Sequence, residues 1–166
     1  RASRSRRSTD RRLRFCVVVL NRGEFHQIIT DQSFEVTSSE PVMVGQYLVS
    51  QEATRDNVGD PAMIVVPPIT QLRERYQIIT PEDYSSNWLT IAREVGTNTT
   101  LDGVPVPANR FTPFGSNQYE LAWIEVEAGL HLVEGDRPFS LIVYGYSAAV
   151  SYGYPGGLNL RSDEMP

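Results

Sequence analysis

The side chains that most often carry out chemistry are sparse in this chain, and they are not spaced as a reaction centre. His26 and His131 are the only histidines, and neither has a partner histidine or a cysteine pair at a metal-ligand spacing. His131 stands in an alternating Gly-Leu-His-Leu-Val segment, which predicts a hydrogen-bonded or exposed histidine on a strand. Cys16, the single cysteine, allows no internal disulfide and is predicted to be a buried, inert thiol. Without a GxSxG motif, no nucleophile is visible.

The acidic residues form two close pairs and part of one polar loop. Glu82 and Asp83 follow a proline in a predicted turn, while Glu125 and Glu127 alternate on one face of a predicted strand. We interpret both pairs as solvated acids, although a glycosidase would use two such carboxyl groups across a substrate. The loop at 51–60 lacks the glycine position and the terminal Glu of an EF-hand. We therefore expect no metal, no cofactor and no catalytic residue, and we predict that the chain is not an enzyme.

Tyrosine is concentrated near the end of the sequence, where Tyr144, Tyr146, Tyr152 and Tyr154 stand among glycines. Tyrosine supplies a large contact area at low entropic cost and is enriched at binding hot spots. These four are the predicted ligand-binding residues, which would contact a partner protein or stack on sugar rings. The alternative is a structural corner, in which the rings fill space beside glycine turns.

The elements that would position these tyrosines are predicted to be strands. Residues 141–144 are apolar on both alternating faces, as in a strand that is covered on both sides. Asp102 and Gly103 lie between β-forming residues and predict a hairpin. The apolar parity of YELAWIEVE switches after Trp123, which predicts a β-bulge before Ile124. Further runs at 15–20, 25–30, 34–37 and 42–49 are also typical of strands.

The predicted fold is all-β, an antiparallel β-sandwich. Residues 36–47 and 133–144 share one spacing of apolar residues, proline and tyrosine, which indicates two tandem related β-units, the first incomplete. The polar loop at 51–60 is the best internal boundary. The predicted organisation is a basic, disordered leader at 1–14, a partial first β-unit at 15–58, a β-sandwich unit at 59–161 and a tail at 162–166.

Charge is segregated along the chain. Residues 1–14 hold seven of the 15 basic residues, all arginine, and one of the 20 acidic ones. The acidic remainder argues against nucleic acid and anionic membranes as partners. We interpret the leader as a tail or linker, because no aromatic residues interleave its arginines to stack on bases. No apolar run approaches the roughly 20 residues of a membrane span.

A set of short segments rich in proline, glycine and tyrosine is spread over most of residues 23–160. They are Pro41-Val42, Gly45-Gln46-Tyr47, Gly59-Asp60-Pro61-Ala62-Met63, Pro67-Pro68, Leu101-Asp102-Gly103, Gly129-Leu130-His131, Pro138-Phe139, Val143-Tyr144-Gly145-Tyr146 and Ser151-Tyr152-Gly153-Tyr154-Pro155-Gly156-Gly157-Leu158. Together they resemble the family of N-terminal domains of IgGFc-binding protein. The resemblance implies an extracellular module without a catalytic motif. That family includes a mucus glycoprotein named for binding the Fc region of IgG and many bacterial surface or secreted proteins.

The predicted function is a non-catalytic, adhesion-type interaction module that is secreted or displayed at a cell surface. The partner would be a protein or a glycan, and the absence of lysine is typical of a GC-rich bacterial genome. One alternative is a carbohydrate-binding module that uses the tyrosines. Others are a structural spacer in a larger surface protein and, least favoured, a hydrolase whose acids are brought together by folding.

Overall fold

The structure is a computed structural model that describes residues 6–8, 17–54 and 56–160. The chain divides into two compact units, Arg1–Thr37 and Ser38–Pro166. Cys16, whose burial was predicted, lies outside the described residues. The predicted boundaries at 14, 58 and 161 stay predictions.

Among the residues that the structure describes, the first unit contains one pair of short strands. Strand β1 (Arg6–Ser8) runs parallel to β2 (His26–Ile28), with Arg6 opposite His26. β1 falls within the predicted leader, and β2 within the predicted strand at 25–30. Residues 17–20 and 34–37 are irregular rather than strands. A run with high strand propensity forms a strand only where a neighbouring backbone pairs with it and one of its faces packs against other residues. Neither run is paired among the residues described.

The second unit is built almost entirely from antiparallel strands, as the all-β prediction required. Its short 3-10 helices are Gln51–Ala53, Ile69–Gln71 and Ala108–Arg110. Its strands are β3 (Val44–Tyr47), β4 (Met63–Val66), β5 (Arg73–Thr80), β6 (Ser86–Glu94), β7 (Thr99–Leu101), β8 (Val104–Pro105), β9 (Thr112–Phe114), β10 (Tyr119–Val126), β11 (Gly129–Ser147) and β12 (Val150–Pro155).

Strand β11 is the central element of this unit. Its 19 residues pair first with β5 and β7, and then with β6 and β12. The register with β5 shifts between Glu134 and Phe139, where Pro138 has no N–H to donate. At Gly135 a Cβ would lie 2.8 Å from the Phe139 ring, so only glycine fits this bend without displacing the ring. On either side of this bend β11 pairs with different strands, β5 and β7 before it and β6 and β12 after it, so that one curled sheet supplies both layers.

The main core lies between the two halves of this curled sheet, as a β-sandwich requires. Its buried members come from both halves: Tyr76, Ile78, Leu89, Ile91, Phe111, Ala122, Val133, Phe139, Leu141 and Val143. A smaller core of Leu48, Ile64 and Ile142 lies on the other face of β11, where β3 and β4 form a two-stranded sheet. Residues 141–143 are buried on both faces of the strand, and their sequence is accordingly an unbroken apolar run.

Of the predicted hairpin and the predicted β-bulge, the structure contains only the hairpin. Asp102 and Gly103 connect β7 to β8 in a two-residue turn, so the hairpin is confirmed. The bulge between Trp123 and Ile124 is wrong, because β10 pairs with β6 without a break from Tyr119 to Val126. The apolar parity changes because Leu121 and Ala122 are both buried, one on each face of the strand.

Candidate functional site

The four tyrosines selected from the sequence lie on the β11–β12 hairpin, but they do not share a face. Tyr144 is opposite Gly153, and Gly145 is opposite Tyr152. Residues directly opposite in an antiparallel pair point to the same side. Tyr144 and Tyr146 therefore project to one side of the hairpin, and Tyr152 and Tyr154 to the other.

Tyr144 and Tyr146 pack against the small core with β4. Their rings meet edge to face at 5.8 Å, and both contact the cluster around Ile64. Burial raises the pKa of Tyr144 to about 12, against a lowering by its hydrogen bond with Thr90. A Cβ on Gly153 would come within 2.5 Å of Ile64, so this glycine lets β4 lie close against the hairpin.

Tyr152 and Tyr154 pack against the main core, and their hydroxyl groups bond inward. Tyr152 Oη donates to Asn87 Oδ1 at 2.7 Å, and Tyr154 Oη donates to the Ile79 carbonyl at 2.5 Å. The two rings stack with centroids 6.0 Å apart. Burial raises the pKa of both phenols. Each ring is held in one place by packing and by a hydrogen bond.

Asn87 connects this tyrosine pair to the loop between β5 and β6. Asn87 is buried, and while its Oδ1 accepts from Tyr152 its Nδ2 donates to the Pro81 carbonyl at 3.2 Å. Tyr84 of the same loop lies edge-on to Tyr152, with the ring centroids 4.7 Å apart. Tyr152 thus positions the loop at 81–85 through a ring contact and through Asn87.

The tip of the hairpin is joined to two loops by hydrogen bonds at Ser147. Its carbonyl accepts from the Gly59 N–H at 2.8 Å, and its Oγ lies 3.1 Å from Ser85 Oγ. Next to it, Ser151 Oγ accepts from the Asp60 N–H at 2.8 Å. We call the surface formed by residues 56–60, 81–85 and 147–150 the loop end.

The loop end is acidic and accessible. Its exposed residues include four carboxylates and the hairpin tip: Asp56, Asp60, Glu82, Asp83, Ala148, Ala149 and Val150. The sequence predicts a polar boundary loop at 51–60 and solvated acids at Glu82 and Asp83, with no contact between the two. The residue that could have indicated the contact between the first loop and the hairpin is Gly59. It has φ +98°, and a Cβ added there would overlap the Tyr146 ring and lie very close to Ser151.

The other candidate groups do not assemble into a catalytic or metal centre among the residues described. His131 hydrogen-bonds to Asp102 and to the Glu127 carbonyl, which confirms a hydrogen-bonded histidine on a strand. His26 lies half-buried in β2 of the first unit. In the parts of the chain that the structure covers, no three His, Cys, Asp or Glu side chains converge to hold a metal ion.

A comparison with known protein families identifies the family of this chain. The family model described as IgGFc binding protein matches residues 13–145, most of the chain. The chain belongs to the IgGFc binding protein family. The match ends at Gly145, so three of the four tyrosines and all of β12 lie beyond it. No curated protein and no solved structure matches the chain.

The IgGFc binding protein family is one of non-enzymatic binding domains, and membership suggests an extracellular location. The family also indicates a protein-binding role. None of the helices in the described residues is long and apolar enough to cross a membrane.

Proposed function

We propose that this chain is a non-catalytic, adhesion-type module, secreted or displayed on a bacterial surface, and that it binds protein through the loop end. Family membership supports the binding role. The observation that carries the site is the junction at Ser147, which fixes two loops and a hairpin tip into one exposed surface. A surface fixed in advance loses less entropy when it binds.

The charge of the loop end defines its partner. Asp56, Asp60, Glu82 and Asp83 are all exposed, so the surface favours a basic patch on another protein. Such an interface is steered by charge and weakens as salt rises. The ligand that the family name suggests is the Fc fragment of IgG, which we take as the first protein to test.

A protein partner fits the tyrosines better than a sugar does. Stacking on a sugar requires an open ring face, whereas the Tyr152 ring already lies against the rings of both Tyr84 and Tyr154. In this proposal the tyrosines mainly hold the loops, and their half-buried edges add contact area. Direct ligand binding by Tyr144, Tyr146, Tyr152 and Tyr154 stays a prediction.

Surface plasmon resonance against immobilised IgG Fc tests this proposal. We expect saturable binding that Glu82→Arg or Asp83→Arg weakens by about tenfold, as loss of roughly 1.4 kcal/mol would. Glu74→Arg is the matched control, since Glu74 is also exposed but lies six strand residues before Thr80, about 20 Å from the loop. Equal loss in all three variants would remove the loop end from the site. No binding to Fc or to a glycan array would favour a structural spacer.

A further inference from the structure

The turn between β7 and β8 is fastened to β11 by the side chain of Asp102. Asp102 and Gly103 have φ of +52° and +78°, the left-handed pair of a tight hairpin turn. Asp102 Oδ1 accepts from the Leu132 N–H at 2.8 Å, and the Asp102 N–H donates to the Leu132 carbonyl at 2.8 Å. Asp102 Oδ2 lies 2.8 Å from His131 Nδ1.

The second ring nitrogen of His131 also faces an acceptor. His131 Nε2 lies 3.0 Å from the Glu127 carbonyl oxygen, in the turn between β10 and β11. A carbonyl and an ionised carboxylate can only accept, and a neutral imidazole carries a single N–H. Only the doubly protonated imidazolium satisfies both contacts at once.

The surroundings of His131 favour that charged form. Its side chain is 11% exposed, and Asp102 is the charged group that it contacts. The residue opposite it on β5 is the apolar Ile78. The β10–β11 turn presents the Glu127 carbonyl to the ring. Burial alone would lower the pKa of His131, but the hydrogen bonds to Asp102 and Glu127 and the Asp102 charge outweigh it, so the pKa is raised above 6.5.

We propose that Asp102 and His131 form a proton-operated latch, which ties the β7–β8 hairpin to β11 and the β10–β11 turn while the imidazole is doubly protonated. Loss of one proton leaves an imidazole lone pair facing either the Asp102 carboxylate or the Glu127 carbonyl. One of the two hydrogen bonds of the latch is then lost. The hairpin forms a wall of an apolar cleft of about 180 Å³, lined by Leu101, Val104, Pro105, Val106, Pro107, Arg110 and Ile124. Release of the latch loosens that wall.

The pH range in which the latch is closed follows from two pKa shifts of opposite direction. The raised pKa of His131 means that its contribution is complete below 6.5 and is lost as pH rises through the raised value. For Asp102, burial would raise the pKa, but the hydrogen bonds from His131 and the Leu132 N–H and the His131 charge hold it below 3.8. Its contribution is complete above 3.8 and is lost at lower pH. The latch is therefore fully closed between about pH 4 and 6.5.

Amide hydrogen exchange by NMR between pH 5.5 and 8.5, corrected for intrinsic rates, tests the latch. We expect protection of the Asp102 and Leu132 amides to fall about fivefold as pH rises, the loss of one hydrogen bond. The Gly156 amide, bonded to the Leu141 carbonyl, is the internal control and should not change. ¹⁵N shifts should show both His131 nitrogens protonated at pH 5.5.

Asp102→Asn separates the latch from a purely structural turn. Asparagine tolerates the left-handed turn and can still accept from Leu132, but it carries no charge. The His131 midpoint should fall, and the protection at pH 5.5 should drop to the level of the parent protein at pH 8.5. His131→Gln should make protection independent of pH. An unchanged His131 midpoint in Asp102→Asn, or pH-independent protection in the parent protein, would overturn the proposal.

Discussion

Arg93 and Glu120 form an ion pair inside the second unit, with Arg93 Nε and Nη2 each 2.9 Å from Glu120 Oε1. They stand directly opposite each other on β6 and β10, and the Arg93 side chain is only 4% exposed. Arg93 Nη1 also donates to Thr99 Oγ1 at 2.8 Å, and the guanidinium lies 3.3 Å above the centre of the Phe111 ring. One arginine thus connects β6, β7, β10 and the segment before β9.

Breaking this pair should strongly destabilise the fold. Glu120→Gln leaves a buried guanidinium without its counter-charge, and we expect a loss of about 3–5 kcal/mol in the free energy of unfolding. Arg93→Met with Glu120→Leu should cost less than the sum of the single changes. Urea denaturation measures all three.

The matched control is the exposed pair Arg75–Glu134, whose side chains are 68% and 42% exposed. Glu134→Gln should cost no more than about 1 kcal/mol, because water screens the pair. Similar losses in both pairs would contradict the burial argument.

Gly145 should tolerate no side chain. A Cβ there would overlap the Tyr152 ring and lie 2.8 Å from the Ser86 carbonyl oxygen. We expect Gly145→Ala to destabilise by about 1–3 kcal/mol and to alter the near-ultraviolet circular dichroism of the tyrosines. Gly45→Ala is the control, since its nearest contact would be an ordinary 3.6 Å to Met63. A stable Gly145→Ala protein with an unchanged spectrum would contradict the packing of Tyr152.

The β3–β4 sheet should depend on Ile64. Ile64 is buried against Ile142 and Leu48, so Ile64→Ala should cost about 2–5 kcal/mol in thermal or urea unfolding. Its neighbour Val65 is exposed, and Val65→Ala should change stability by about 0.5 kcal/mol or less. Equal effects at the two positions would show that this sheet does not pack on the hairpin.

Tyr144 should make the fold sensitive to alkali. Its folded pKa of about 12 lies above the usual 10, so its contribution is complete below pH 10 and is lost as pH rises towards 12. The loss should reach about 2 kcal/mol at pH 12. Tyr144→Phe should lower the stability at pH 7 yet lose less of it above pH 10, as denaturation series at several pH values would measure. An equally steep alkaline loss in the variant would exclude Tyr144 as the source.

Signals that depend on adjacent residues were readable from the sequence. The Asp102-Gly103 hairpin needs only two left-handed residues, and the strand at 141–144 needs only an unbroken apolar run. The alternation in Gly-Leu-His-Leu-Val also predicts a strand, which is confirmed. In all three cases the residues that determine the local structure lie within a few positions of one another.

The features that the sequence did not predict depend on contacts between residues that are distant in the chain. The run at 17–20 has high strand propensity but is irregular, since propensity supplies no pairing backbone. The parity switch in β10 predicts a bulge, because within one strand's sequence burial on both faces cannot be distinguished from a kink. The loop end joins residues 59, 85 and 147, and only the folded sheet brings them together.

The most direct measurement is an amide-resolved NMR titration of the chain with IgG Fc. Our account predicts shifts and line broadening concentrated at the loop end, residues 56–60, 81–85 and 147–150, and weakening as salt is raised. It also predicts no such footprint for Glu82→Arg at the same concentrations. A footprint elsewhere on the sheet, or no change at any Fc concentration in the parent protein, would contradict it.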